Sequence, residues 1–159
     1  LPMLIESLRD KNTRVRAAAI HALADLHISD ERVLPALIEA LKDSDQKVSH
    51  TAVSALVDLG ETAVPALNAA LARPETRGLA ALTVAHIGHR AQAATPALIA
   101  ALVDSTPHVR RTVLAALAAI GWTLAPDPGG YGGYQAIERW PGRYAAATEM
   151  RKDGVALAY

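Results

Sequence analysis

Residues 34–60 read LPALIEALKDSDQKVSHTAVSALVDLG and contain two apolar-patterned segments on either side of a short polar turn. In each segment the apolar residues recur at intervals of three and four, which is the pattern of a helix that buries one face. Pro35 stands at the head of the first segment and Gly60 closes the second, as prolines and glycines do at helix starts and ends. The stretch therefore predicts two short helices of about three turns each, joined by a tight turn.

The pattern of this stretch repeats along the chain. Its Leu-Ile pair, followed three residues later by leucine, occurs three times, and a weaker third copy has Asn68 in place of the isoleucine. The four first segments carry Leu4, Leu37, Leu67 and Leu98, preceded by Pro2, Pro35, Pro65 and Pro96. The second segments repeat as well, and three of them end at Gly60, Gly88 and Gly121. Because neither helix of a pair can bury its stripe alone, the repeat predicts an all-α stack, an α-solenoid of about four helix pairs.

The starts of the second helices can also be predicted. Asn12, Asp45 and the Thr106-Pro107 pair stand immediately before second segments, where side-chain oxygens cap the first N–H groups. We predict repeats at about residues 1–27, 30–60, 61–88 and 90–121, followed by an extension over 122–159.

One polar spacing accompanies the repeat. Asp10 lies six residues before Arg16, and Asp104 lies six residues before Arg110. The third unit has Arg77 at this position, whereas the second has Asp43 and Ser49. An acid that ends the first helix and an arginine that opens the second can bond across the turn and to adjacent units.

With the prolines, the Val-Arg pairs and the closing Leu-Gly, this spacing resembles the HEAT repeat, in the short bacterial form also found in phycobilin lyase subunits. The resemblance covers residues 2–121. It implies a right-handed superhelix whose second helices line the concave face, and a role in binding other proteins.

The composition changes at Gly121-Trp122. All six aromatic residues lie beyond Gly121, and residues 125–133 are rich in proline and glycine, which excludes a regular helix there. We expect an irregular aromatic C-terminal cap over the open end of the stack, with short helices over Tyr134–Trp140 and Arg143–Lys152. Two alternatives are a binding loop presenting Tyr131 and Tyr134 and a link to a further repeat that begins near Gly154.

Charge and composition exclude several classes. Lysine plus arginine equals aspartate plus glutamate at 16 each, which disfavours nucleic-acid binding, and there is no cysteine for a disulfide or a thiolate zinc site. No apolar run is long enough to span a membrane, so a cytoplasmic location is expected. The chain opens on Leu1, within a predicted helix, and we expect a fragment of a larger protein.

No catalytic constellation is found in the sequence. The six histidines include no H-E-x-x-H pair, no serine lies in a glycine elbow, and Gly129-Gly-Tyr-Gly-Gly133 lacks the lysine of a phosphate-binding loop. We therefore predict no enzyme activity of its own, no metal and no cofactor.

The predicted function is a protein–protein interaction scaffold that binds its partner on the concave face. The candidate binding residues are Arg14, Lys47, His50, His108 and Arg111, beside a more acidic row of Asp25, Asp58 and His86. The alternatives are a component resembling phycobilin lyases and a structural arm of a larger protein. A role like that of HEAT-like DNA glycosylases is disfavoured, since no aromatic residue precedes Trp122. The oligomeric state and the partner's identity are left open.

Overall fold

The repeat region consists of consecutive helix pairs. The computed structural model describes residues 2–25, 32–103, 106–126, 134–140 and 143–148. In these ranges the helices are α1 (Pro2–Ser7), α2 (Thr13–Asp25), α3 (Val33–Ala40), α4 (Gln46–Leu59), α5 (Val64–Leu71), α6 (Pro74–Ile87), α7 (Thr95–Val103) and α8 (Pro107–Ala119). Two 3-10 segments, Gly60–Ala63 and Gly88–Ala94, lead into α5 and α7.

The helices lie in two layers. The second helices of the pairs pack in the order α2, α4, α6, α8, and the first helices α3, α5 and α7 also pack in chain order. Each pair thus covers the apolar stripe of the next, as stacked repeats do. The predicted α-solenoid of about four helix pairs is confirmed.

The second helices begin where the sequence predicts. The side chain of Asn12 accepts the Arg14 N–H at 2.9 Å, and the side chain of Asp45 accepts the Lys47 N–H at 2.8 Å. Thr106 Oγ1 accepts the Val109 N–H at 3.4 Å, immediately before Pro107. These bonds satisfy N–H groups that have no partner inside their own helix.

Glycine ends two of these helices in a conformation that other residues avoid. Gly60 and Gly88 are the C-caps of α4 and α6, with φ of 58° and 66°. The guanidinium group of Arg90, from the second 3-10 segment, lies against Gly60, and a Cβ there would come within 3.1 Å of its nitrogen. Gly60 thus permits both the backbone turn and this contact with the following unit.

The core runs continuously through the stack. Its largest fully buried side chains come from both layers: Ile20, Leu23, Leu37, Val48, Leu56, Leu67, Leu71, Val84, Leu98, Val113, Leu117 and Ile120. One polar residue interrupts the repeated pattern. Asn68 donates from Nδ2 to the Ala93 carbonyl at 3.4 Å, but its buried Oδ1 accepts no hydrogen bond within the described part of the chain. This position is isoleucine in the other three units, at residues 5, 38 and 99.

An arginine–aspartate pair fastens the first unit to the second. Arg16 donates to Asp43 through Nε at 2.6 Å and through a terminal guanidinium nitrogen at 2.8 Å. Its other terminal nitrogen donates to the carbonyl of Asp10 at 2.9 Å, in the turn of its own unit. Arg16 thus bonds across its own turn and to the adjacent unit, as the spacing predicted, although it uses the Asp10 backbone and not its carboxylate.

The second unit has Ser49 where the other units have arginine, and the third unit lacks the acid that such an arginine would bind. Arg16, Ser49, Arg77 and Arg110 are each the fourth residue of their second helix. Since Arg16 bonds forward to the next turn, an arginine at Ser49 would need an acid in the turn between α5 and α6. That turn holds only Ala72 and Arg73, so the acid and the arginine are lost together.

The segment after the last helix contains strands. They are β1 (Trp122–Pro126), β2 (Tyr134–Trp140) and β3 (Arg143–Thr148), in an antiparallel sheet of order β1-β2-β3. The prediction of short helices is therefore wrong over Tyr134–Trp140 and over Arg143–Thr148, while residues 149–152 of the second predicted helix lie outside the described residues. The alanines in these stretches favoured helix, but aromatic and β-branched residues between Gly/Pro-rich turns suit a strand.

One aromatic residue of the extension packs onto the repeats. Trp122 is buried against the core, and its indole N–H donates to Thr95 Oγ1 at 3.3 Å. Residues 127–133 and 149–159 lie outside the described residues, and with them Tyr131 and the further repeat predicted near Gly154. The division into repeats and extension stays a prediction.

Candidate protein-interaction surface

The candidate residues occupy equivalent positions on neighbouring second helices. Arg14, Lys47 and His108 are each the second residue of α2, α4 and α8, while His50 and Arg111 are the fifth residues of α4 and α8. All five side chains are exposed. Because the second helices pack side by side, these positions form two rows across the layer, which we call the second-helix face.

The third unit changes the charge of this face. The second residue of α6 is Glu75, which is exposed, and its fifth residue is Gly78. The first row is therefore Arg14, Lys47, Glu75 and His108, not an uninterrupted basic rim. Glu75 was missed in the sequence, although Arg77, two residues later, already places this helix in the repeat frame. Counting from Pro74 as the first helical residue would have found it.

The cationic side chains of this face lie at helix N-termini, which already carry partial positive charge. Acidic residues stabilise the first turn of a helix because the unpaired N–H groups there carry partial positive charge. The first turns of α2, α4 and α8 contain no acidic residue, and only α6 among these helices has one, Glu75. Arg14 and Lys47 thus add their charge to the partial positive charge of the helix starts, and the carboxylate of Asp45, the N-cap of α4, offsets part of it at unit two.

One of the two histidines on this face, His50, bonds to the backbone of its own helix. Nδ1 of His50 lies 2.8 Å from the carbonyl oxygen of Gln46. A carbonyl oxygen only accepts, so Nδ1 is the donor in this contact. His86 makes the equivalent contact with the Leu82 carbonyl at 2.9 Å.

The predicted acidic row lies at the other end of the same helices. Asp25, Asp58 and His86 are each the thirteenth residue of α2, α4 and α6, and all are exposed. The corresponding residue of α8 is Ala119, so this row has no charge in the fourth unit. The second-helix face is thus basic near the helix starts and acidic near the ends of its first two helices.

The aromatic candidates are only partly described. Tyr134 is the first residue of β2, pairing with Pro126 of β1, but its side chain lies outside the described part, as does all of Tyr131. The aromatic loop predicted from the sequence therefore stays a prediction.

Shifted pKa values occur at the ion pairs of the first three units. The hydrogen bond from Arg16 lowers the pKa of Asp43, against the opposing effect of desolvation, and the same bond raises the pKa of Arg16. Hydrogen bonds from Lys42 and then Arg73 lower the pKa of Glu39. These charged groups form ion pairs with each other, so their role is to stabilise the packing of the units. The sequence spacing predicted that Arg16 bonds to an adjacent unit but did not identify Asp43 as its partner. The bond between Arg73 and Glu39, at 2.9 Å across units, had no sequence signal.

Neither a metal cluster nor a membrane span is found in the described ranges. Within residues 2–25, 32–103, 106–126, 134–140 and 143–148, no three histidine or acidic residues are placed to hold a metal ion. No described helix is long and apolar enough to cross a bilayer.

Stacked helix pairs with one continuous core define an α-solenoid, a class of protein that generally presents an extended surface to other proteins. Residues 1–75 match the family model of HEAT repeats. No curated protein matches the chain.

Several solved structures resemble the fold. One is the CpcE–CpcF complex of the phycocyanin lyase from a Nostoc species, at 29% identity and a TM-score of 0.48, covering 76% of this chain and 53% of that one. An engineered protein gives 19% identity and a TM-score of 0.41, covering 75% and 61%. A designed armadillo repeat protein gives 20% and 0.42, covering 76% and 64%. The chain thus spans about half of the length of the lyase chain that it matches.

Proposed function

We propose that this chain is a non-catalytic scaffold that holds an acidic or mixed-charge segment of a protein partner on its second-helix face. The observation that supports the proposal is the aligned row of Arg14, Lys47, Glu75 and His108, one residue from each of four packed helices. The resemblance to HEAT repeats implies that this face is the concave side of the superhelix.

The spacing of the row defines the kind of segment that fits. Packed helices lie about 8–10 Å apart, and an extended chain advances about 3.3 Å per residue. A segment crossing the helices in extended form therefore meets a new helix about every three residues. Matching Arg14, Lys47, Glu75 and His108 in turn requires an acid at the first, second and fourth of these positions and a base at the third.

The fifth-residue positions widen the basic surface at two units. His50 lies one turn from Lys47 on α4, and Arg111 lies one turn from His108 on α8. The corresponding positions of α2 and α6 are Ala17 and Gly78, so the second row alternates between large basic side chains and small ones. Units two and four thus present paired contacts, and we propose that they bind the partner most tightly.

The proposal is tested with a charge-reversed variant carrying Arg14→Glu, Lys47→Glu and Arg111→Glu. Its matched control carries Lys11→Glu, Lys42→Glu and Arg90→Glu, which makes the same change in net charge off the second-helix face. Circular dichroism first establishes that the three proteins are folded and helical. Immobilised proteins are then used to capture partners from a lysate of the source organism, which are identified by mass spectrometry.

We expect a partner that the parent and the control retain and the charge-reversed variant loses, with retention falling as salt rises. Equal retention by all three proteins would contradict the second-helix face. Bilin transfer to a phycobiliprotein acceptor, abolished in the same variant, would instead favour the component resembling phycobilin lyases.

A further inference from the structure

A groove separates the first two helices of the first-helix layer. It lies between α1 and α3, has a volume of about 410 Å³, and is open to solvent along one side. Its apolar wall is formed by Ile5, Leu8, Pro35, Ala36 and Ala40. Among the described helices, α3 packs on α5 and α5 on α7, whereas α1 and α3 are less closely packed.

The groove exposes a stripe that the inner units bury. Ile5 and Leu8 occupy the same repeat positions as Ile38 and Leu41, which are 5% and 2% exposed. Ile5 and Leu8 are only half-buried, although both contact the core. A ligand that covered Ile5 and Leu8 would be stabilised by the hydrophobic effect, as Ile38 and Leu41 are by packing against their neighbours.

The acidic side chains that line the groove form ion pairs, whereas the arginine that lines it does not, within the described part of the chain. Glu39 is paired with Lys42 and Arg73, and Asp43 with Arg16, so both acids of the lining already have cationic partners. Arg9, the third charged residue of the lining, is exposed and has no ion-pair partner within the described part of the chain. The charge left for a ligand is therefore positive.

We propose that this groove binds an acidic amphipathic segment of a protein partner, with apolar side chains between α1 and α3 and a carboxylate on Arg9. A groove between two helices, α1 and α3, with an apolar wall suits the binding of a short amphipathic helix. The volume lies in the range of about 300–1,000 Å³ seen for ligand pockets. The site is in the first-helix layer, so it does not depend on the function proposed for the second-helix face.

The test uses two short synthetic amphipathic peptides of the same leucine pattern, one with glutamate at every charged position and the other with lysine. Binding to the parent is followed by amide chemical shifts in NMR titrations. Two variants are compared: Arg9→Glu, which reverses the free charge, and Ala36→Trp, which fills the groove. Lys47→Glu/Arg111→Glu, on the second-helix face, is the control, and circular dichroism verifies that each variant is folded.

We expect the glutamate peptide to shift the amides of Ile5, Leu8, Arg9 and Ala40 and to bind about tenfold more weakly to Arg9→Glu. Ala36→Trp should lose binding, and the control should keep it. The proposal is overturned if the lysine peptide binds as well as the glutamate peptide, if the shifts map to α4 and α8, if Arg9→Glu has no effect, or if neither peptide binds. None of these results bears on the lysate capture, so the two proposals fail separately.

Discussion

The bond between the first two units gives the sharpest stability prediction. Replacing Asp43 with alanine removes both charge-assisted bonds from Arg16, at 2.6 and 2.8 Å, and leaves the guanidinium without its acid. It also removes the bond that the Asp43 carboxylate accepts from the Asp45 N–H at 2.9 Å. Asp43→Asn separates the two effects, because it can keep the bond to Asp45 while losing the charge.

The position of the pair sets the size of the effect. An exposed ion pair contributes about 0–1 kcal/mol, whereas breaking a buried one costs about 3–5 kcal/mol. The side chains of Arg16 and Asp43 are 14% and 11% exposed, so the pair is close to solvent without being free in it. We expect Asp43→Ala to cost about 2 kcal/mol, which for a chain of 159 residues lowers the melting temperature by about 4–8 °C.

The assay is thermal and urea unfolding followed by far-UV circular dichroism. A double-mutant cycle with Arg16→Met isolates the coupling, because Asp43→Ala should cost much less once Arg16 is absent. Arg73→Ala is the matched control: its bond to Glu39 also joins two units, but both side chains are about half exposed. We expect it to change the melting temperature by at most about 2 °C. Equal effects of Asp43→Ala and Arg73→Ala, or additive effects in the cycle, would refute the reasoning.

Three further predictions follow from single positions. The folded-state pKa of Asp43 is lowered, so the charged carboxylate stabilises the folded protein fully at pH values above the unfolded-state pKa of about 3.9. This stabilisation is lost as the pH falls through the folded-state pKa. The difference in melting temperature between the parent and Asp43→Asn should therefore be constant from about pH 5 to 7 and narrow below about pH 4. Asn68→Ile should raise the melting temperature by about 2–4 °C in calorimetry, because it removes a buried acceptor without a donor; a decrease would show that Oδ1 has a partner. Gly60→Ala should cost about 1–3 kcal/mol in urea unfolding, since its φ is 58° and Arg90 lies against it, whereas Gly78→Ala, inside α6, should not destabilise.

The repeat architecture was predictable because its signals are local and redundant. The apolar stripes, the capping residues Asn12, Asp45 and Thr106, and the glycines that end helices each point to the same boundaries. A single weak copy, such as the unit with Asn68, does not disturb the pattern because the neighbouring units fix its frame. The extension offered no such redundancy. Ala145, Ala146 and Ala147 favoured helix over Arg143–Thr148, and the sheet pairing that decides otherwise is non-local.

The candidate surface was predictable only in part. Equivalent positions on the second helices follow from the repeat spacing, which is how Arg14, Lys47 and His108 were found. Glu75 was equally predictable, because Arg77, two residues later, places its helix in the same frame, but it was missed. The groove between α1 and α3 had no sequence signal, because it depends on how closely two helices of one layer approach. The spacing of Asp10 and Arg16 predicted a bond between units, but only the structure shows Asp43 as the acid that is used.

The central claim is that a partner lies on the second-helix face, and site-specific photo-cross-linking tests it most directly. A photoreactive amino acid is placed at Ser54, exposed on α4 in the second-helix layer, and in a second protein at Ala69, exposed on α5 in the first-helix layer. Each is irradiated with the partner captured by the parent. The account predicts a cross-linked partner from Ser54 and none from Ala69; cross-linking from Ala69 with none from Ser54 would contradict it.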